Sequence, residues 1–235
     1  MLSRRIIMID ENTVEKNGLV GYWHYQAGIS GTTWSNIAPN TAGLYNGTIT
    51  GAVLQSNGVF FDGINDDVTT AALPAATSWT LELGFKYDGT STSQGVVMGW
   101  FPNGFAGGNW AALQVNYGAA ANRFVMYDSA TNALGIKVES ILTPNVFYHV
   151  AIRFDRITPF PNDRSLNYYL NGQYMSTASV NATSMGGQLM FGRRKFNTSF
   201  FDPFKGTLAF ARVYDRPLTD TELGKNYLVG FALGL

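Results

Sequence analysis

Hydrophobic and polar side chains alternate along most of this chain in short runs, which is the period of β-strands with two different faces. The clearest run covers residues 206–213, where Leu, Phe and Arg alternate with Ala, Ala and Val. The pattern changes at residues 215–217, where a proline ends the strand. Thr219 then precedes Glu222 by three residues, which is the spacing of a capping box. The sequence therefore predicts a strand, a tight turn and a short helix over about residues 219–227.

Similar runs recur through the chain, separated by turns rich in Gly, Asn, Asp and Ser. About a dozen short strands at this spacing are typical of a β-sandwich. We predict them near residues 52–54, 59–61, 68–70, 80–87, 96–100, 111–116, 123–128, 136–138, 148–155, 166–170, 174–178 and 188–192. Asn171-Gly172 lies between two of these runs and predicts a two-residue hairpin turn of type I′.

The pattern indicates one domain with a short segment at each end. Residues 1–17 form an N-terminal arm, and residues 18–235 form a single sandwich domain. Within it, residues 228–235 are an apolar tail that we expect to pack as a last strand or to dock on a neighbour. A length of 235 residues suits one all-β domain.

The composition adds a hint about partners. Hydrophobic residues make up 46% of the chain and charged residues only 14%, below the usual quarter or so. Five Trp, 12 Tyr and 16 Phe are many for one sandwich core, which predicts that some of these rings face a partner.

Charge and cysteine content exclude several classes of protein. Sixteen Lys and Arg balance 16 Asp and Glu, whereas proteins that bind nucleic acid usually have a basic excess, so we expect no nucleic-acid partner. The absence of Cys excludes a disulfide framework and a thiolate metal site. No apolar stretch approaches the roughly 20 residues of a membrane span, and residues 6–9 are too short for the apolar region of a Sec signal peptide. We therefore expect the protein to be made in a host cytoplasm and to leave it by assembly into a particle or by lysis.

Six blocks follow one another in a recognisable order. They are FFDG at 60–63, WTLELGF at 79–85, FYHVAIRFD at 147–155, LNYYLNG at 166–172, LMFG at 189–192 and the terminal run at 206–223. Together they resemble the concanavalin A-like, laminin-G-like domains. The resemblance implies an all-β jelly-roll sandwich of two antiparallel sheets with one short C-terminal helix. It leaves the function open, because one fold can carry many functions.

The residues give little support to catalysis. The glucanases of the resembled superfamily place two Glu, with an Asp between them, on one strand, since retaining glycosidases need two carboxyl groups about 5 to 5.5 Å apart. The Glu residues of this chain do not form that pattern: Glu11, Glu15, Glu82, Glu139 and Glu222. His149 lies in a strand where the resembled fold commonly carries a structural His. We expect no enzyme, and an unfamiliar hydrolase site would need paired carboxylates such as Asp155 near Asp128.

A cluster of carboxylate and amide side chains follows the FFDG block and is a candidate Ca²⁺ site. Its members lie within six residues: Asp62, Asn65, Asp66 and Asp67. Ca²⁺ takes six to eight oxygen ligands from loops of this kind, many relatives in the resembled family bind Ca²⁺ at a sandwich rim, and Asp202 is a candidate distant ligand. The alternative is that these side chains only form the turn, through hydrogen bonds to the backbone.

Two aromatic-rich segments, at 99–110 and 193–204, are candidate binding surfaces. The candidate contact residues are Trp100, Phe101, Phe105, Trp110, Arg193, Arg194, Phe200 and Phe201. Flat rings beside polar groups suit a glycan, because a pyranose has an apolar C–H face and a polar edge. Exposed aromatic clusters also mark protein interfaces, and both interpretations stay open.

A freestanding domain, the lack of an export signal and the excess of aromatic residues together favour a structural role. We predict a non-catalytic structural or adhesive protein of a bacteriophage virion, such as a capsid decoration or other accessory head or tail protein. Its partners would be further copies of itself or other virion proteins. The alternative is a carbohydrate-binding, lectin-like module, with or without Ca²⁺, that recognises a cell-surface glycan. A defined oligomer would favour the first, and loss of glycan affinity in Trp100→Ala or Trp110→Ala would favour the second.

Overall fold

The computed structural model of the protein describes residues 14–91, 93–101, 111–119, 121–128, 135–156, 164–179 and 185–232. The strands, in chain order, are β1 (Leu19–His24), β2 (Ile29–Ser30), β3 (Thr33–Trp34), β4 (Gly47–Thr50), β5 (Val53–Gln55), β6 (Gly58–Asp62), β7 (Asp67–Thr70), β8 (Leu73–Ala76), β9 (Trp79–Tyr87), β10 (Gly95–Phe101), β11 (Ala111–Val115), β12 (Arg123–Asp128), β13 (Gly135–Ile141), β14 (Phe147–Arg156), β15 (Arg164–Leu170), β16 (Gln173–Ser179), β17 (Met185–Phe191), β18 (Arg194–Phe196), β19 (Ser199–Phe201) and β20 (Lys205–Tyr214). One α-helix, α1 (Asp220–Ala232), follows β20 in the described part of the chain. No helix among these residues is long and apolar enough to cross a membrane.

The described strands form two large antiparallel sheets. The eight-stranded sheet has the order β16-β15-β14-β9-β20-β6-β5, and β1 also pairs with β20. The ten-stranded sheet has the order β13-β12-β11-β10-β17-β7-β4-β3-β2, and β8 also pairs with β17. Strands β18 and β19 form a separate hairpin. This arrangement confirms the predicted sandwich of two antiparallel sheets.

The main core lies between the two sheets and follows from the alternation of side chains along the strands, which bulges interrupt in β10 and β20. On β9, the inward-facing side chains are Trp79, Leu81, Leu83 and Phe85. Phe85 stacks on Phe124 of the opposite sheet, with 5.6 Å between ring centroids. Burial of one large apolar side chain stabilises a fold by about 1.5 to 3 kcal/mol. The inward-facing rows therefore hold the sheets face to face.

The other face of the eight-stranded sheet is covered by α1 and by the chain near β1. A second hydrophobic cluster forms there, with members that include Tyr22, Phe210, Leu218 and Leu223. The backbone N–H of Glu15 donates to Asn226 Oδ1 at 2.9 Å. Residues 14–17, which the sequence assigned to an arm, therefore lie against the domain.

A charged network is buried within this second layer. Glu82 Oε2 lies 3.5 Å from Arg212 Nη1, and both side chains are fully buried. His149 Nε2 lies 3.2 Å from Glu82 Oε1, and Asn226 Nδ2 donates to Glu82 Oε2 at 2.9 Å. Burial alone would raise the pKa of Glu82, but the hydrogen bond from His149 and the charges of His149 and Arg212 lower the pKa of this carboxyl. Glu82 therefore has a structural role in its hydrophobic strand: it connects β9 to β14 through His149, to β20 through Arg212 and to α1 through Asn226.

The local predictions at the C-terminus are confirmed up to the end of the predicted helix. The Glu222 backbone N–H donates to Thr219 Oγ1 at 3.3 Å, and the Thr219 backbone N–H donates to Glu222 Oε2 at 2.7 Å, which completes the capping box. The expectation of a last strand is wrong for residues 228–232, which continue α1. Leu223 and Val229 are both buried, so the burial of apolar side chains continues along the helix beyond residue 227.

The predicted hairpin turn is also confirmed. Leu170 pairs with Gln173 across Asn171-Gly172. The two turn residues have φ values of 51° and 74°, as a type I′ turn requires.

Candidate functional site

The described residues of the first aromatic segment, 99–101, pack into the interior rather than forming a surface. Trp100 and Phe101 end β10, and their side chains are only 2% and 1% exposed. The Trp100 ring packs edge-on against Trp79 in the main core, with 5.4 Å between centroids. The expectation that these two rings face a ligand is therefore corrected, because the strand continues through them. Phe105 and Trp110 lie outside the described residues.

The second aromatic segment forms the hairpin of β18 and β19. Across it Arg194 pairs with Phe201 and Lys195 with Phe200. Since paired residues share a face and successive residues alternate, Lys195 and Phe200 lie on one side. Arg194, Phe196 and Phe201 lie on the other side. The three Phe side chains are 40% to 43% exposed, so the hairpin presents a ring on each of its faces.

The side chains of the acidic cluster accept hydrogen bonds from the backbone of their own turn. The backbone N–H of Asp62 donates to Asp66 Oδ2 at 2.8 Å. The backbone N–H of Ile64 donates to Asp62 Oδ1 at 2.7 Å. Asp66 is buried, and this burial raises the pKa of its carboxyl. Asn65 is exposed in the same turn.

The two remaining carboxylates of the Ca²⁺ hypothesis bind arginines. Asp67 pairs with Arg193, and Asp202 pairs with Arg194. In the described ranges, no group of three or more His, Cys, Asp or Glu side chains is arranged to hold a metal ion. The residues present therefore do not fit the predicted Ca²⁺ site, because Asp62 and Asp66 each accept a backbone N–H and Asp67 and Asp202 each pair with an arginine.

A pocket opens on the outer face of the ten-stranded sheet. Thr48 pairs with Thr69, and Thr69 pairs with Met190, so the three side chains form a row across β4, β7 and β17. The row faces outward because its neighbour Val68 points into the main core. The β18–β19 hairpin forms one wall of the pocket with the face that carries Lys195 and Phe200. The volume of the pocket is about 470 Å³. Its described lining residues are Thr48, Thr50, Asp67, Thr69, Met190, Arg193, Lys195 and Phe200.

One ordered cluster of Asp67, Arg193 and Phe200 lies in this pocket. Arg193 Nε donates to Asp67 Oδ2 at 3.0 Å, and its Nη2 donates to the same oxygen. The Arg193 guanidinium lies 3.6 Å from the centroid of the Phe200 ring. Thr69 Oγ1 donates to Asp67 Oδ1 at 3.1 Å. Charge-assisted hydrogen bonds and cation–π stacking therefore fix the guanidinium plane and the ring relative to each other.

The pocket can bind polar ligands but offers little for acid–base chemistry. Asp67 is the sole carboxylate among its described lining residues, whereas glycoside hydrolysis ordinarily uses two. The pair suggested from the sequence does not supply a second one here. Asp155 is on β14 of the eight-stranded sheet and Asp128 is on β12 of the ten-stranded sheet.

The structure thus joins two hypotheses that the sequence kept apart. Asp67 was a candidate metal ligand, and Arg193 and Phe200 were candidate glycan contacts, yet all three line one pocket. Sequence reasoning missed the threonine row. The alternation around Val68 was its only signal, since it places Asp67 and Thr69 on the face opposite the core.

Comparison with known proteins identifies the fold family. Residues 61–224 match the concanavalin A-like lectin/glucanases superfamily. No curated protein sequence matches the chain significantly.

Solved structures share the fold at low sequence identity. Trypanosoma rangeli sialidase in complex with sialic acid is 16% identical, with a TM-score of 0.65 over 92% of this chain. This chain spans only 34% of that sialidase. Domain 4 of a GH43 extracellular arabinanase from Geobacillus stearothermophilus, in complex with arabinotriose, is 16% identical with a TM-score of 0.65. That match covers 91% of this chain and 100% of the arabinanase domain.

Proposed function

The chain belongs to the concanavalin A-like lectin/glucanase superfamily, and from that premise we propose that it is a non-catalytic carbohydrate-binding module. The proposed binding site is the pocket between the threonine row and the hairpin. One observation carries this proposal. An exposed aromatic ring is held beside a row of hydroxyl groups and an immobilised guanidinium.

The chemistry of a sugar matches these groups. The apolar C–H face of a pyranose can pack on the ring of Phe200, a residue that is 43% exposed. Sugar hydroxyls can exchange hydrogen bonds with Thr48, Thr50 and Thr69. Because the guanidinium of Arg193 is already oriented, little side-chain entropy is lost when a ligand binds.

The structural relatives favour a glycan over other ligands. The arabinanase domain matched over its full length was solved with arabinotriose. The sialidase was solved with sialic acid, although this chain spans only about a third of it. The single carboxylate among the described lining residues favours binding over hydrolysis.

A glycan array followed by calorimetry on the strongest hit tests the proposal. Phe200→Ala is expected to weaken binding at least about tenfold, which corresponds to about 1.4 kcal/mol. Phe201→Ala is the matched control, because it removes the same side chain at similar exposure from the other face of the hairpin. Equal losses in the two variants would place the site elsewhere, and no binding to any glycan would overturn the proposal.

The predicted structural role in a bacteriophage virion is a second candidate. The observation that bears on its protein–protein contacts is the outer face of the hairpin, where Phe196 and Phe201 are 41% and 40% exposed beside Arg194. Rings and arginines are enriched at protein interfaces. Self-association, measured as the molar mass by light scattering, would support this candidate.

A further inference from the structure

The acceptor capacity of the carboxylate in the pocket is largely occupied. The Asp67 carboxylate accepts two hydrogen bonds from Arg193 and one from Thr69. An ionised carboxylate offers about four acceptor positions. Asp67 therefore has little capacity left for the hydroxyl groups of a ligand.

The donor capacity of the pocket is larger. A guanidinium carries five N–H groups, and Arg193 uses Nε and Nη2 on Asp67. Within the described ranges its Nη1 group makes no hydrogen bond, while stacking on Phe200 holds it in place. Lys195 places an ammonium group on the same wall, 5.2 Å from the Phe200 ring centroid. The pocket thus has a fixed guanidinium and a second positive side chain beside neutral hydroxyls.

The charges of the lining residues also favour a negatively charged ligand. Two cations, Arg193 and Lys195, stand against one anion, Asp67, so the net charge of the lining is +1. Asp66 is close to this cluster but does not line the pocket. Its carboxylate accepts the Asp62 N–H beneath the turn.

We propose that the pocket selects an acidic sugar, whose ring carboxylate lies against Arg193 Nη1 and the Lys195 ammonium. This inference rests on the proposed function and names its ligand class. A carboxylate matches Arg193 Nη1 because hydrogen bonds with an ionised partner are roughly twice as strong as neutral ones, and because only a charged ligand adds the attraction between opposite charges. A neutral sugar would leave the positive groups facing hydroxyls only.

A matched pair of ligands tests the role of the carboxylate. Trigalacturonic acid and its methyl ester differ in charge but share the same sugar rings. The acid is expected to bind at least about tenfold more tightly at low salt, and the difference is expected to shrink as salt rises. Sialyllactose compared with lactose forms a second arm, which distinguishes a sialic-acid ligand from a uronic-acid ligand.

Variants of Lys195 connect this preference to the pocket. Lys195→Gln is expected to remove most of the preference for the acid, and Lys195→Arg is expected to restore it. Lys225→Gln is the control, since it makes the same change in net charge on α1, which covers the other sheet. Equal effects of Lys195→Gln and Lys225→Gln would mean that overall charge, not the pocket, sets the preference, which would overturn the inference.

The remaining outcomes separate this inference from the proposed function. Binding of neutral sugars that depends on Phe200 but shows no preference for either acid would overturn the acidic ligand alone. Tighter binding of a sulfated galactose oligomer than of both carboxylated sugars would overturn the carboxylate assignment. Absence of binding to every sugar would overturn both proposals.

Discussion

Among single residues, we expect substitution of the buried Glu82 or Arg212 to lower the free energy of unfolding the most. Both side chains have no solvent exposure, so removal of Glu82 leaves Arg212 as a buried charge without its carboxylate, and removal of Arg212 leaves Glu82 with His149 alone as a charged neighbour among the described residues. We expect Glu82→Gln and Arg212→Met each to lower the free energy of unfolding by about 3 to 5 kcal/mol. The double variant is expected to lose much less than the sum. Urea denaturation of the three variants measures the coupling.

A surface pair supplies the control for this cycle. Arg123 and Glu139 form a bidentate ion pair at the surface, with side chains that are 26% and 46% exposed. Arg123→Met is expected to leave the urea midpoint nearly unchanged, because solvent screens such pairs. A loss as large as that of Arg212→Met would contradict the view that burial makes the inner pair important.

The sequence predicted the position of Glu82 but not its role. Its strand was recognised from alternation, and the lack of a second Glu nearby argued against a glucanase site. Its partners Arg212 and Asn226 are 130 and 144 residues away in sequence. Nothing local indicates that these side chains meet, because sheet order and helix docking bring them together.

At the scale of elements, the hairpin that walls the pocket depends on Gly192. This residue has a φ of 91° and links β17 to the hairpin. A Cβ atom there would lie 2.3 Å from Phe61 Cδ1 and 2.8 Å from the backbone oxygen of Asp66. Gly192→Ala is expected to cost about 3 kcal/mol of stability, from overpacking and from a left-handed backbone. Thermal unfolding and glycan affinity should both fall.

Gly43 offers a matched comparison for that substitution. It has a φ of 78°, but no heavy atom lies within 4 Å of the position of its Cβ. Gly43→Ala therefore tests the backbone cost alone, which is about 1 to 2 kcal/mol. Equal losses in the two variants would show that contact with Phe61 does not hold the hairpin in place.

Elements with local signals were predictable, and the pocket was not. The capping box at Thr219 and the turn at Asn171-Gly172 depend on residues within four positions of each other. The pocket depends on the register of β4, β7 and β17 and on the path of the hairpin. Trp100 shows the same limit, because a β-bulge between Val96 and Met98 sets which face its ring occupies.

At the scale of the whole molecule, the excess of aromatic residues has an internal explanation. All four Trp residues in the described ranges are at most 2% exposed: Trp23, Trp34, Trp79 and Trp100. The sandwich buries two hydrophobic clusters, one between the sheets and one beneath α1, rather than the single core assumed from the sequence. The aromatic content therefore no longer requires a partner.

This explanation predicts the state of the protein in solution. We expect light scattering to give the mass of a monomer, 25.7 kDa, with and without Ca²⁺. A stable interface buries about 800 Å² on each partner, whereas the outer face of the hairpin offers two Phe rings that are each about 40% exposed. Ca²⁺ should change nothing, because Asp62, Asp66 and Asp67 already have protein partners. A defined trimer or larger assembly would contradict this reasoning and favour the virion role, and truncation of residues 1–13 would then test whether that segment holds the copies together.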